Sequence, residues 1–273
     1  MRRETTPHAR GGARGVAWRE PTARVSRGTE RRAMRVLGAV GAVVALLMAA
    51  SPGTAQVMDD EIHTFVLVDR FEYAPGGDAR PLEWEALSWT GGDYNRLWLR
   101  TEGEYQTEEQ AGHVEVQAHY GRLVAPFWDA LVGLRYDAPV GGEAGDGRAF
   151  LAVGLEGLAP YLFEVAPFVF VSEDGDVSAR LEASYHLLFT QRLIAEPELE
   201  VNVALQDVPA HGVGSGLNDV KLGFRVRYEI MREIAPYVGY SWTRRFGGTA
   251  DLVRAAGGEA GEGAFVVGLR VWY

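Results

Sequence analysis

The stretch from Gly91 to Glu104, Gly-Gly-Asp-Tyr-Asn-Arg-Leu-Trp-Leu-Arg-Thr-Glu-Gly-Glu, restricts the possible folds more than any other. Arg96, Trp98, Arg100, Glu102 and Glu104 share one parity. Leu97, Leu99, Thr101 and Gly103 share the other. Successive side chains of a strand point to opposite faces, so this is a strand with one charged and one uncharged face. A soluble sheet hides its apolar face in a core. A transmembrane barrel turns apolar residues toward lipid and charges toward the lumen.

The same pattern recurs along the chain. It predicts about twelve strands: 61–73, 82–90, 94–106, 110–123, 126–138, 148–157, 160–172, 177–189, 193–206, 217–230, 234–245 and 263–273. In the fourth, His113, Glu115, Gln117 and His119 oppose Val114, Val116, Ala118 and Tyr120. In the eighth, Arg180, Glu182, Ser184 and His186 oppose Leu181, Ala183, Tyr185 and Leu187. In the ninth, Glu196, Glu198, Glu200 and Asn202 oppose Pro197, Leu199, Val201 and Val203. The first and seventh strands do not assign their faces.

Connections alternate as well. Those after even-numbered strands are short: Gly91-Gly92-Asp93, Val124-Ala125, Leu158-Ala159 and Thr190-Gln191-Arg192. Several after odd-numbered strands are long and Gly-rich: 74–81, 139–147, 207–216 and 246–262. Short periplasmic turns, longer outer loops and an even strand number are the outer-membrane barrel pattern. The expected fold is therefore all-β: a transmembrane antiparallel barrel with both termini in the periplasm. The last strand closes on Val271, Trp272 and Tyr273, and such an aromatic end resembles an outer-membrane insertion signal. A secreted β-sandwich is the alternative, but it would mix charges of both signs on a water-facing surface instead of setting dense charged rows beside continuous apolar ones.

The front of the chain is different. Residues 1–33 are Arg-rich and aperiodic, and read as a disordered tail or an over-extended reading frame. Met34-Arg35, the apolar run Val36–Ala50 and the small residues up to Ala55 form a signal peptide over 34–55. The run is too short for a comfortable transmembrane helix. A short lead-in, 56–60, precedes a single barrel domain, 61–273. The full chain has 27 basic and 37 acidic residues and no Cys. Residues 1–55 carry ten Arg and three Glu, which leaves 17 basic and 34 acidic residues and a net charge of −17. Such a chain repels nucleic acid and attracts cations. Without Cys there is neither a disulfide framework nor a thiolate metal site.

A set of sequence words also resembles the copper resistance protein B family of bacterial outer membranes. They include Asp69-Arg70-Phe71-Glu72-Tyr73, Trp89-Thr-Gly-Gly-Asp93-Tyr-Asn95-Arg-Leu-Trp98-Leu-Arg-Thr-Glu102-Gly-Glu104, Pro126-Phe-Trp128-Asp129, Gly133-Leu-Arg135-Tyr-Asp137, Thr190-Gln-Arg192-Leu-Ile and Arg227-Tyr-Glu229-Ile. The resemblance implies a barrel acting in copper tolerance, with a periplasmic multicopper oxidase as companion. Family members commonly carry a Met- and His-rich segment before the barrel; here only Met58, Asp59, Asp60 and His63 stand there.

Two Met (Met58, Met231) and five His (His63, His113, His119, His186, His211) follow the signal segment. Cu(I) prefers sulfur ligands, whereas imidazole and carboxylate suit Cu(II). The residues therefore favour copper ions bound transiently and weakly in an acidic lumen, or conducted through it out of the periplasm, with outer-membrane lipid outside. If the turn Thr190-Gln191-Arg192 makes a tight hairpin, cross-strand residue numbers sum to about 382. That sets His186 opposite Glu196, Ser184 opposite Glu198 and Glu182 opposite Glu200. Three carboxylates in a row need cations, and Arg180, Arg192 or a metal ion can supply them. The candidate metal ligands are His186, Glu196 and Glu198, with His119 and His63 expected at similar depth and Met58 in the lead-in. Each His also has a plainer reading as a solvated or hydrogen-bonded lumen residue, and each Arg as a structural counter-charge. His113 and His119 lie too far apart to share an ion.

No catalytic residue is assigned. Ser184, His186 and Asn202 have the residue types of an outer-membrane lipid hydrolase, but their parity points them inward. Gly212–Gly216 lacks the strand–turn–helix setting of a serine nucleophile. A structural barrel with no transported ligand is the third reading.

Overall fold

The computed structural model describes residues 61–75, 81–141 and 147–273. The expectations for the tail, the signal segment and Met58 lie outside the described residues. The chain forms one antiparallel sheet in which each strand pairs with its sequence neighbours. The strands are β1 (His63–Tyr73), β2 (Pro81–Gly91), β3 (Asn95–Gln106), β4 (Ala111–Ala125), β5 (Trp128–Gly141) and β6 (Arg148–Ala159). They continue as β7 (Phe163–Ser172), β8 (Val177–Ser184, resuming at Leu187–Leu188), β9 (Leu193–Ala204), β10 (Gly216–Tyr228), β11 (Ile234–Arg245) and β12 (Gly261–Trp272). β12 pairs back onto β1, with Leu67 opposite Trp272 and Tyr73 opposite Val267. Val66 and Tyr273 exchange two backbone hydrogen bonds of 2.9 and 2.8 Å. The sheet is thus a closed barrel of twelve strands, which leaves no free edge.

Leu97, Leu134, Leu151, Val153, Leu222 and Val238 stand exposed on the outside, as lipid requires. Tyr94, Phe127, Tyr161, Phe189 and Tyr273 ring the end with the short turns. Tyr136, Tyr240 and Phe265 are exposed further along the barrel wall. Exposed aromatics bordering an apolar band are the pattern of a membrane interface.

Several boundaries differ from expectation. β4 runs through Ala125, and its turn is Pro126-Phe127, with Phe127 left-handed at φ 67°. Pro160–Leu162 is a 3-10 turn and not the start of β7, because Tyr161 and Leu162 both take positive φ. The segment 246–262 holds a helix, α1 (Gly247–Ala255). Its core, Thr249-Ala-Asp-Leu-Val-Arg-Ala, lacks strand alternation and is rich in helix formers. α1 is pinned to the loop after β9: Thr249 Oγ1 accepts from Gly214 N at 2.9 Å and from Asn218 Nδ2 at 2.8 Å.

β1 carries a bulge between Val68 and Arg70. Asp69 and Arg70 are consecutive, yet both reach lumen partners: Asp69 pairs with Arg270 at 2.5 Å and Arg70 with Glu198 at 2.8 Å. This reversal of parity is why β1 shows no clean face in the sequence.

Candidate functional site: the lumen and its two vestibules

The lumen is divided. At the short-turn end a cavity of about 720 Å³ opens between β1, β2, β3, β6, β7, β8 and β9. At the loop end a second cavity of about 550 Å³ contains His113, His211, Asp137, Asp176 and Asp219. Between them the interior is filled by ion pairs, with two spaces of about 10 Å³ each, about the room of one water molecule.

The strand pairing at β8 and β9 is the one the hairpin dictates: Glu198 faces Ser184 and Glu200 faces Glu182. β8 stops at Ser184 and resumes at Leu187. Pro197 explains the interruption. Tyr185 N donates to Pro197 O at 3.2 Å, but proline has no N–H to return the bond. The strand is released there, and His186 sits in the gap.

His186 lines the turn-end cavity with Glu164 and Glu196. Its Nε2 is 3.5 Å from Glu196 and its Nδ1 is 3.7 Å from Glu164. The two carboxylates meet opposite edges of the ring, so one ion on one nitrogen engages only one of them. Glu164 has no role in the sequence reading. Its position follows from the Glu173–Asp176 turn, where Gly175 has φ 87°, and which sets residue numbers of β7 and β8 to sum to 348, as in Glu164 opposite Ser184. The Asp-Gly word was the available signal.

The other expected ligands are not brought to this point. Glu198 is held by Arg70 at 2.8 Å and Arg225 at 2.6 Å. Glu196 is also bound by Arg227. His63 lies exposed at the end of β1. His119 does not share the open cavity of His186: it is 1 % exposed and packs 5.3 Å from the Phe168 ring. Both of its ring nitrogens lack a protein hydrogen-bond partner. Arg192 is exposed in its turn, so Arg70, Arg225 and Arg227 neutralise the ladder in its place. Among the described residues no three His, Asp or Glu side chains are placed to hold a metal ion.

Ser184 and His186 line the turn-end cavity, whereas Asn202 lines the loop-end one. Ser184 Oγ donates to Glu164 at 3.4 Å, and Asn202 donates to Glu200 and Asp219. These three residues do not form a triad.

The pairs that fill the barrel are well buried. Arg225 grips Glu72 with two bonds of 3.0 and 2.7 Å, and Tyr237 donates to the same carboxylate at 3.1 Å. Glu72 is 2 % exposed. Lys221 pairs with Glu83 at 2.8 Å, and Arg96 with Asp129 at 3.0 Å.

A closed twelve-stranded barrel with an apolar exterior and an ion-paired interior is an outer-membrane-type barrel. Residues 62–273 match the family model described as Copper resistance protein B precursor (CopB). The chain is 39 % identical over 217 residues to a Copper resistance protein B of Escherichia coli, covering 80 % of this chain and 72 % of that protein. It is also 39 % identical over 218 residues to a Copper resistance protein B homolog of Pseudomonas syringae pv. tomato (strain ATCC BAA-871 / DC3000), with the same coverage. The chain therefore belongs to the copper resistance protein B family. Among solved structures, the NanC porin overlaps 77 % of this chain and 99 % of its own, at 14 % identity and a TM-score of 0.48. The KdgM porin overlaps 77 % and 98 %, at 12 % identity and a TM-score of 0.44.

Proposed function

We propose that this barrel serves copper tolerance by taking Cu(II) from the periplasm at His186, with the short-turn end and both termini on the periplasmic side. The observation that carries the reading is the placing of His186, between Glu164 and Glu196, in an open cavity of about 720 Å³. Imidazole and carboxylate suit Cu(II). The ring can present either nitrogen, each with one carboxylate beside it, so binding is weak and reversible, as cargo requires. Family membership supports copper as the ion. A periplasmic multicopper oxidase would be the natural companion at the same rim, and outer-membrane lipid covers the apolar belt. The closed interior favours capture and controlled passage over free diffusion.

Calorimetry on the purified barrel tests this. His186→Ala combined with Glu164→Gln should lower Cu(II) affinity markedly, and unchanged affinity would remove the site. In cells, loss of the gene should sensitise to copper more than to zinc or detergent. An equal loss of tolerance to all three would point to a general envelope role.

A further inference from the structure

We infer that the layer between the two vestibules is a cation gate, and that Arg180 is a tethered counter-ion which a metal cation displaces in passing. The inference rests on the copper reading only in the direction of travel.

The layer is thin at β8 and β9. On β8, Glu182 lines the turn-end cavity and Arg180, two residues on, lines the loop-end cavity. On β9, Glu198 lines the first, Asn202 lines the second, and Glu200 lies between. Two residues of strand span roughly 7 Å. On these two strands a single tier of side chains separates the two spaces, whereas on β5 and β6 they stand six residues apart, Asp129 from Arg135 and Glu156 from Phe150.

Within that tier Arg180 is the hub. It pairs with Glu102, with Glu115 at 3.0 Å, with Glu182 at 3.6 Å and with Glu200 at 3.7 Å. These carboxylates come from β3, β4, β8 and β9, so one guanidinium ties facing walls together. Arg100 adds pairs to Glu156 and Glu182, and Arg135 to Glu115 and Asp137. Six carboxylates thus share three guanidiniums. Like charges held this close in a poorly solvated space repel strongly, and the surplus is negative.

A second, independent feature points the same way. Gln117 is 5 % exposed and its Oε1 has no hydrogen-bond partner. Its amide Nε2 is committed to Glu115. Gln117 lines the small space that Glu85, Thr101, Glu102, Glu115 and Glu182 also line, with Arg100 as the one cation there. A buried amide oxygen unpaired among carboxylates lacks a donor or a cation, not another acceptor. Apart from the Arg100 guanidinium, the polar side chains around this space present oxygen, the preference of hard metal cations. With Arg180 in place the carboxylates are drawn around its guanidinium. With Arg180 swung toward the loop-end cavity, the same oxygens face a cation arriving from Glu182, as charged rings do in cation pores.

Conductance of the barrel in planar bilayers under a KCl gradient tests this without copper, so its failure and that of the His186 reading are separable. The wild type should pass little current. Arg180→Gln should raise conductance several-fold with a reversal potential of cation sign, and adding Glu115→Gln should weaken that selectivity. Assembly is followed by heat-modifiable migration on gels. Should Arg180→Gln not assemble, Arg180→Lys decides: it keeps the charge but loses the planar fork that reaches four carboxylates, and should leak cations. An assembled Arg180→Gln as silent as the wild type, a current selective for anions, or a silent Arg180→Lys where Arg180→Gln fails to assemble would each overturn the gate.

Discussion

The lumen has two unlike walls. One, from β1, β2 and β9 to β12, is a lattice of Glu72, Glu83, Glu85, Glu196 and Glu198 with Arg70, Arg225, Arg227, Arg270 and Lys221. The other holds an apolar cluster set among the charges of β3, β5 and β6 and along β7: Trp98, Leu131, Phe150, Ala152, Ala166, Phe168 and Phe170 pack together. The walls meet where guanidiniums lie on rings. Arg135 sits 4.6 Å above Phe170, and Arg100 5.4 Å above Phe168. Such contacts shelter a cation that keeps its carboxylate. The difference teaches that the interior of this barrel is a core of two materials, one specified by charge pairing and one by shape.

The largest expected effects lie on the two walls. On the charged one, Glu72→Ala leaves Arg225 with Glu198 alone and Tyr237 without its acceptor in a dry site, and should cost about 3 kcal/mol of stability in denaturant unfolding of the detergent-solubilised barrel. A loss under about 1 kcal/mol would mean that water reaches the pair. On the apolar wall, Phe168→Ala should cost about 3 kcal/mol through the space it leaves. That loss should be insensitive to salt and accompanied by exposure of His119 to solvent, readable by histidine NMR. His119→Phe sharpens the contrast further. It replaces a ring whose nitrogens have no protein partner by one that suits the wall, and should change stability by less than about 1.5 kcal/mol. A large loss would reveal a polar role for His119.

The smallest effect belongs to the loops. Asp207 accepts from Ser215 N at 2.6 Å, and this bond holds its carboxyl below its ordinary value of 3.8. Because the folded-state value is depressed, the contribution to loop docking is complete above pH 3.8 and is lost as pH falls through the lower folded value. Amide exchange at Ser215 should rise relative to its intrinsic rate only in that acid range, and should be raised at all pH in Asp207→Ala, which removes the acceptor. An exchange rate unaltered by the substitution would show that α1 alone holds the loop.

The two walls also explain what could be read in advance. Where the lumen face is charged, as in β3, β4, β8 and β9, alternation located the strands within a few residues and, with the turn at Gln191, gave the pairing of Ser184 with Glu198. Where the lumen face is aromatic, as at Phe168 and Phe170 of β7, both faces read as apolar and the period disappears. Glu164 was hidden for that reason, since its strand had no assigned face. The bulge at Asp69 and Arg70 erased the pattern in β1 by a backbone irregularity that composition does not record. His119 shares parity with Glu115, but burial under Phe168 depends on a strand three positions away. The break beside His186 was legible in principle through Pro197, a residue that cannot complete a ladder.

The thinness of the Arg180 tier has an electrical consequence. If the gate is as inferred, the two vestibules conduct and a voltage between the compartments falls chiefly across the ion-paired layer between them, which at β8 is roughly 7 Å deep, and not evenly across the about 30 Å of the hydrocarbon layer. A charge crossing this one tier feels almost the whole potential, about 2.3 kcal/mol for each 100 mV.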